Sequence, residues 1–195
     1  MPAPELRQYP SDGFGHFFRS WIQNPLSIGA VAPSGRLLAK MMAMNLGAGT
    51  RVIELGAGTG TVTQAILDSG VRPQDLYIVE QNQQFIPILK RRFPCCPTIQ
   101  ADATSLAEHV NGSAGSFDFI ISGLPLLLFS AEQKLRLLSQ AFDVLRPTGV
   151  LRQFTYAGRC PVGRDLRAKL QIESSLVGIA PFNLPPAFVY RFGRA

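Results

Sequence analysis

One stretch constrains this chain more than any other: Val52-Ile53-Glu54-Leu55-Gly56-Ala57-Gly58-Thr59-Gly60, running on into Thr61-Val62-Thr63-Gln64-Ala65-Ile66-Leu67. A short run led by β-branched residues reads as a strand, and Val62 to Leu67 reads as a helix. Between them, glycine at every second position lets the backbone turn sharply and pass close to a ligand. Strand, glycine turn and helix form the opening unit of a doubly wound α/β sheet, which binds its ligands at the carboxyl ends of the strands.

The rest of the chain repeats the alternation. Leu76 to Val79 is a second strand, Phe85 to Phe93 a helix delayed by Pro87, and Thr98 to Gln100 a third strand. Phe117 to Ile121 is a fourth. Ser130 and Gln133 have capping-box spacing, opening a helix that ends before Pro147-Thr148-Gly149. Val150 to Thr155 is a fifth strand. A helix around Gly163 to Lys169 precedes two β-like runs, Glu173 to Ala180 and Ala187 to Phe192, separated by Asn183 to Pro186. The pattern predicts an α/β, doubly wound, Rossmann-like seven-stranded sheet. It is parallel except for a C-terminal antiparallel hairpin, with helices on both faces.

Residues 1–195 read as one domain, an N-terminal helical extension (1–46) before a Rossmann-like core (51–195). In the extension, Phe14, Phe17, Phe18, Trp21 and Ile22 fall on one face of an amphipathic helix that Asn24-Pro25 stops. Pro33-Ser34 opens a second helix, with Ser34 as its cap and Leu37, Leu38, Met41 and Met42 facing inward.

Composition narrows the chemistry. With 46% hydrophobic and 16% charged residues the chain is globular. Its net charge of +6 and pI of about 9.7 point to an anionic partner, nucleic acid or anionic lipid headgroups. Three cysteines, two of them adjacent (Cys95 and Cys96), make no disulfide framework, and two histidines offer no metal-ligand spacing, so no metal is expected. Neither a leader nor an apolar stretch of about 20 residues is present, which predicts a cytoplasmic protein.

The acidic residues then specify the ligand. Glu54 lies two residues before the first glycine, where it would repel a pyrophosphate but welcome the amino group of a methionine moiety. Glu80, followed by Gln81, ends the second strand, where a carboxylate can accept both hydroxyls of a ribose. Asp102-Ala103 follows the third strand, where a carboxylate can take the amine of an adenine. Ser122 ends the fourth. This set resembles the class I S-adenosylmethionine-dependent methyltransferases over roughly Arg51 to Thr155. The resemblance implies S-adenosylmethionine as cofactor, S-adenosylhomocysteine as product, and Glu54, Gly56, Gly58, Glu80, Asp102, Ala103 and Ser122 as contacts. Ala57, Gly60, Thr61, Gln81 and Ser34 are counted with them.

Outside that set, Asn24-Pro25 through Pro33-Ser34, Gly123-Leu124-Pro125-Leu126, Gln153-Phe154-Thr155-Tyr156 and Asn183-Leu184-Pro185-Pro186-Ala187 resemble the bacterial phospholipid N-methyltransferases. The resemblance runs from about Phe17 to Tyr190, with Ala57 where proline is expected in many relatives. It implies stepwise methylation of phosphatidylethanolamine to phosphatidylcholine by a protein on the inner face of the membrane. The partners are then anionic lipids, phosphatidylethanolamine and its methylated forms, with no nucleic acid. Phe17, Phe18, Arg19 and Trp21 would meet the lipid. A site that makes a quaternary ammonium should present aromatic faces, for which Tyr156 and Tyr190 are substrate-positioning candidates. The alternative is an RNA adenine N6-methyltransferase related to the rRNA dimethyltransferases. It fits the charge, but in Ser122-Gly123-Leu124-Pro125-Leu126 the asparagine and stacking tyrosine of the Asn-Leu-Pro-Tyr motif are replaced by smaller or aliphatic groups.

Overall fold

A computed structural model describes residues 33–110, 115–183 and 185–195. The predicted N-terminal aromatic helix, with Phe17, Phe18, Arg19 and Trp21, lies outside the described residues.

The elements are α1 (Pro33–Met42), β1 (Val52–Leu55), α2 (Thr61–Asp68), β2 (Leu76–Glu80), α3 (Ile86–Arg92), β3 (Thr98–Gln100), α4 (Leu106–His109), β4 (Phe117–Ser122), α5 (Ala131–Val144), β5 (Leu145–Thr155), α6 (Arg164–Lys169), β6 (Ile172–Ala180) and β7 (Ala187–Arg194). Seven strands form one sheet in the order β3-β2-β1-β4-β5-β7-β6. The first five are parallel, and β7 pairs antiparallel with both β5 and β6. The strand order reverses between β1 and β4, the crevice where such sheets take their ligands.

The apolar runs become strands because both faces of the sheet are covered. Val52, Ile53 and Leu55 are fully buried. One face packs against α1, α2 and α3 through Leu38, Met42, Ile66 and Leu89, with Val52, Ile78, Ile121, Phe154 and Val189. The other packs against α4, α5 and α6 through Leu106, Leu137, Leu138 and Leu166, with Ile53, Leu55, Ile120, Leu151 and Phe192. Each such side chain contributes about 1.5–3 kcal/mol on burial.

Register fixes the working edge. Leu55, Ser122, Gln153 and Tyr190 are cross-strand neighbours in one row. Gly56, Glu80, Gly123 and Tyr156 all lie beyond that row, toward the carboxyl ends of the parallel strands.

The starts of α1 and β5 are among the boundaries that differ from the sequence reading. Helix α1 begins at Pro33, so Ser34 sits inside its first turn and is not its cap. A proline suits that first position, where its missing N–H is not needed. The fifth strand begins at Leu145, five residues earlier than expected. Phe117 pairs with Leu145 and Phe119 with Val150, so Arg146 to Gly149 bulge out between two paired ends. Arg146 anchors that bulge on Asp118 Oδ1 at 2.6 Å.

Arg152, buried in mid-sheet, ties α1 to the core. Its Nη1 donates to the carbonyls of Met42 and Met44, each at 2.7 Å, and its guanidinium stands over the Phe119 ring. These carbonyls end α1 and have no helical donor. Arg152→Ala is expected to lower stability by about 2–4 kcal/mol, because it leaves buried acceptors unpaired and a cavity beside Phe119. Urea unfolding measures this, and an unchanged midpoint would contradict the role.

Candidate active site

The site starts at the glycine turn after β1. Gly56 N–H donates to the Val79 carbonyl at 2.8 Å, binding the turn to β2. The glycines then do different things. Gly60 has φ +87°, and a Cβ built on it would stand 2.3 Å from Phe93 Cε2, so this position is closed by the ring at the end of α3. Gly58 has φ +56°, and a Cβ there would meet nothing within 4 Å. The open space above Gly58 is a cradle whose floor is backbone. Across it, a Cβ on Gly123 would stand 2.9 Å from the Gly56 carbonyl oxygen, so the β4 loop lies directly against the β1 turn.

Acidic residues stand at or near the ends of the neighbouring strands. Glu54 is buried, and its Oε2 accepts the Thr63 hydroxyl at 2.6 Å, from the first turn of α2. Burial pushes its carboxyl up to about 7; the Thr63 hydrogen bond opposes the rise and the charge of Glu80 adds to it. Glu80 is held by two backbone donors, Gly58 N–H to Oε2 and Asn82 N–H to Oε1, each at 2.8 Å. It therefore braces the glycine turn. Asp102 caps the 3₁₀ turn Ala103–Ser105 by accepting from Thr104 N–H through Oδ1, and its Oδ2 accepts from Gln81 Nε2 at 3.1 Å. Gln81 and Asp102 are thus one hydrogen-bonded pair, with Ala103 buried beneath. Ser122 is buried at the end of β4, where its hydroxyl accepts weakly from Leu124 N–H at 3.4 Å. Ala57 is buried at the turn, and Thr61 opens α2.

The predicted cofactor residues from Glu54 to Ser122 therefore converge on one edge of four neighbouring strands. Their chemistry suits the cofactor: open space against the backbone at Gly58, a buried carboxylate at Glu54 with no ion-pair partner among the described residues, and a braced carboxylate at Glu80. Glu54 would hold an ammonium, Glu80 a ribose, and Asp102 with Ala103 an adenine. When bound, S-adenosylmethionine supplies an electrophilic methyl group on a sulfonium. Ser34 lies in the first turn of α1.

The two tyrosines are not brought together. Tyr156 lies on the face of α1 to α3, edge-on to Phe154 at 5.5 Å between ring centroids. Tyr190, on β7, packs on the opposite face with the cluster that includes Leu151 and Phe192. Burial raises the pKa of both hydroxyls. Only Tyr156 stands beyond the last row of the sheet.

Sequence reasoning missed Asn183 as a partner of Tyr156. Its side chain, from the β6–β7 loop, stands beside the Tyr156 hydroxyl and opposes the rise in that group's pKa. Gln153 was also missed: its Nε2 donates to the Leu124 carbonyl at 2.8 Å, fixing the β4 loop to β5. The signal available was a buried-strand glutamine, since a polar side chain in such a place needs a partner.

Comparison with known proteins agrees with this geometry. Residues 52–149 match the family model described as a methyltransferase domain. The chain is 28% identical over 181 residues to the ornithine lipid N-methyltransferase of Singulisphaera acidiphila, covering 89% of this chain and 92% of that protein. It is 34% identical over 85 residues to the ribosomal RNA small subunit methyltransferase A of Pseudomonas putida, 44% of this chain and 28% of that one. The fold superimposes with a TM-score of 0.68 and 15% identity on the Burkholderia thailandensis 1,6-didemethyltoxoflavin-N1-methyltransferase, solved with its substrate and S-adenosylhomocysteine; the match covers 100% of this chain and 94% of that one. The chain belongs to the methyltransferase-domain family and is an S-adenosylmethionine-dependent methyltransferase.

Proposed function

We propose that this enzyme N-methylates the primary amine of a membrane aminolipid at the bilayer surface, with phosphatidylethanolamine as substrate and phosphatidylcholine as the final product. The observation that carries this reading is the rim of the carboxyl edge. Leu128, in the 3₁₀ turn after β4, is 54% exposed, and Phe182, between β6 and β7, is 77% exposed. Lys134, in the first turn of α5, lies near Arg159, in the loop after β5. Burial and the Arg159 charge both lower the Lys134 pKa. Neither cation has an ion-pair partner among the described residues. Apolar tips flanked by uncompensated positive charge suit the interface of an anionic bilayer. The edge that would hold the cofactor would then face the headgroups, on the inner leaflet.

Methyl transfer from a sulfonium asks little of the protein beyond position. The chain's tasks are to hold the amine in line, exclude water and release the ammonium proton before attack. No described helix is long and apolar enough to cross a membrane. Docking would therefore rest on this rim and on the proposed contacts Phe17, Phe18, Arg19 and Trp21. The relative from Singulisphaera favours a second reading in which ornithine lipid supplies the amine; the surface argument is the same for both.

Vesicles of phosphatidylglycerol and phosphatidylethanolamine test the rim. Changing Leu128 and Phe182 together to serine is expected to weaken vesicle partitioning on the order of tenfold or more. Raised salt should weaken what remains. Flotation of the double variant equal to the parent would place the docking surface elsewhere.

A further inference from the structure

Asn183 is only 7% exposed, and its Oδ1 has no hydrogen-bond partner among the described residues. The side chain stands beside the Tyr156 hydroxyl. A buried carbonyl oxygen without a donor is costly, and native structures keep few of them. This one lies at the edge where β5 ends and β7 begins, because Thr155 pairs with Phe188 and Ala180 with Ala187. The glycine turn after β1 is two strands from β5, roughly 10 Å at the usual strand spacing. The position suits a group that holds the acceptor of the methyl, and the atom suits a donor N–H.

We propose that Asn183 Oδ1 accepts an N–H of the substrate amine, and that it serves the first two methyl transfers but not the third. This rests on the aminolipid reading above. In each transfer the lone pair of the neutral amine forms the new C–N bond. The sulfur keeps the electron pair of the C–S bond that breaks, and the ammonium proton goes to solvent beforehand. A neutral primary amine has two N–H bonds and can give one to Asn183 while its lone pair points at the methyl group. A neutral secondary amine still has one. A neutral tertiary amine has none, so the third transfer gains nothing from Asn183 and must rely on the Tyr156 ring and on shape. The arrangement thus sets the relative rates of the three steps, and with them how much partly methylated lipid accumulates.

The test uses the full-length enzyme and three substrates in mixed vesicles: phosphatidylethanolamine and its N-methyl and N,N-dimethyl derivatives. For Asn183→Ala, the ratio of kcat/KM on the dimethyl lipid to kcat/KM on each of the other two is expected to rise roughly tenfold. Asn183→Asp keeps an acceptor and should restore most of the ratio. A second readout is calorimetric binding in the presence of S-adenosylhomocysteine. Glycerophosphoethanolamine should bind Asn183→Ala roughly tenfold more weakly than the parent, while glycerophosphocholine should bind both alike. Equal losses on all three lipids would make Asn183 a structural residue and overturn the proposal, as would no loss on any. A parent enzyme that labels none of the three would instead overturn the phosphatidylethanolamine reading, and this inference with it.

Discussion

Gly58→Ala and Gly60→Ala, two substitutions one residue apart, should fail in opposite ways. At Gly60 the new methyl would stand 2.3 Å from the Phe93 ring at φ +87°. Overpacking costs about 1–3 kcal/mol and a left-handed alanine about 1–2 more, a large part of the stability of a domain this size. Gly60→Ala is therefore expected to melt far below the parent or to express as aggregate. At Gly58 the methyl meets nothing within 4 Å, so the cost is limited to the strain of φ +56°. Gly58→Ala should fold, with cofactor binding weakened a hundredfold or more because the methyl fills the cradle (about 2.7 kcal/mol). Thermal unfolding beside calorimetric titration with S-adenosylhomocysteine separates the two. A Gly58→Ala protein that binds like the parent would move the cofactor off this turn.

The second large effect concerns pH. In the free protein, burial raises the Glu54 carboxyl from 4.5 to about 7. An acid whose folded pKa is raised contributes stability that is complete below its unfolded value and is lost as pH climbs through the folded one. Between pH 4.5 and about 7 the free enzyme thus loses roughly 3 kcal/mol through this one group. The ammonium of the cofactor offers the missing counter-charge. Cofactor binding below pH 7 must first strip the proton from Glu54, so affinity should fall up to tenfold per pH unit there. An α-amino group itself deprotonates near pH 7.7–8.0, so affinity should fall again above that. The expected profile is a maximum between about pH 7 and 8. Glu54→Gln should flatten its acid limb, lower the maximum, and raise the stability of the free protein above pH 7. Flat parental affinity from pH 5.5 to 7.5 would contradict the assignment.

The cofactor half of the site is legible in the sequence because each of its residues is local to a strand end. Glu54 lies in the first strand, and Glu80, Asp102 and Ser122 lie at or just after the ends of the next three, and a parallel sheet brings those ends to one edge without further information. The substrate half is not local. Tyr156 and Tyr190 look equivalent as aromatic residues on or next to terminal strands, but strand alternation and the pairing of Thr155 with Phe188 send them to opposite faces. That register depends on how the β6–β7 hairpin closes, and a shift of one residue would exchange the faces. Asn183 becomes a partner of Tyr156 only through the same closure. The bulge at Arg146 to Gly149 is hidden for a similar reason: Pro147 and Gly149 signal an interruption, while the pairing of Leu145 with Phe117 ahead of it is a tertiary fact. Leu128 and Phe182 leave no periodic signal, because their meaning lies in being exposed at the same edge.

The central claim is that the methyl group goes to a lipid amine. It is tested by incubating the enzyme and methyl-labelled S-adenosylmethionine with mixed vesicles and ribosomal RNA together, then separating lipid from RNA. Label in mono-, di- and trimethylated phosphatidylethanolamine, with RNA unlabelled, is the predicted result. Label in RNA with none in lipid would contradict it.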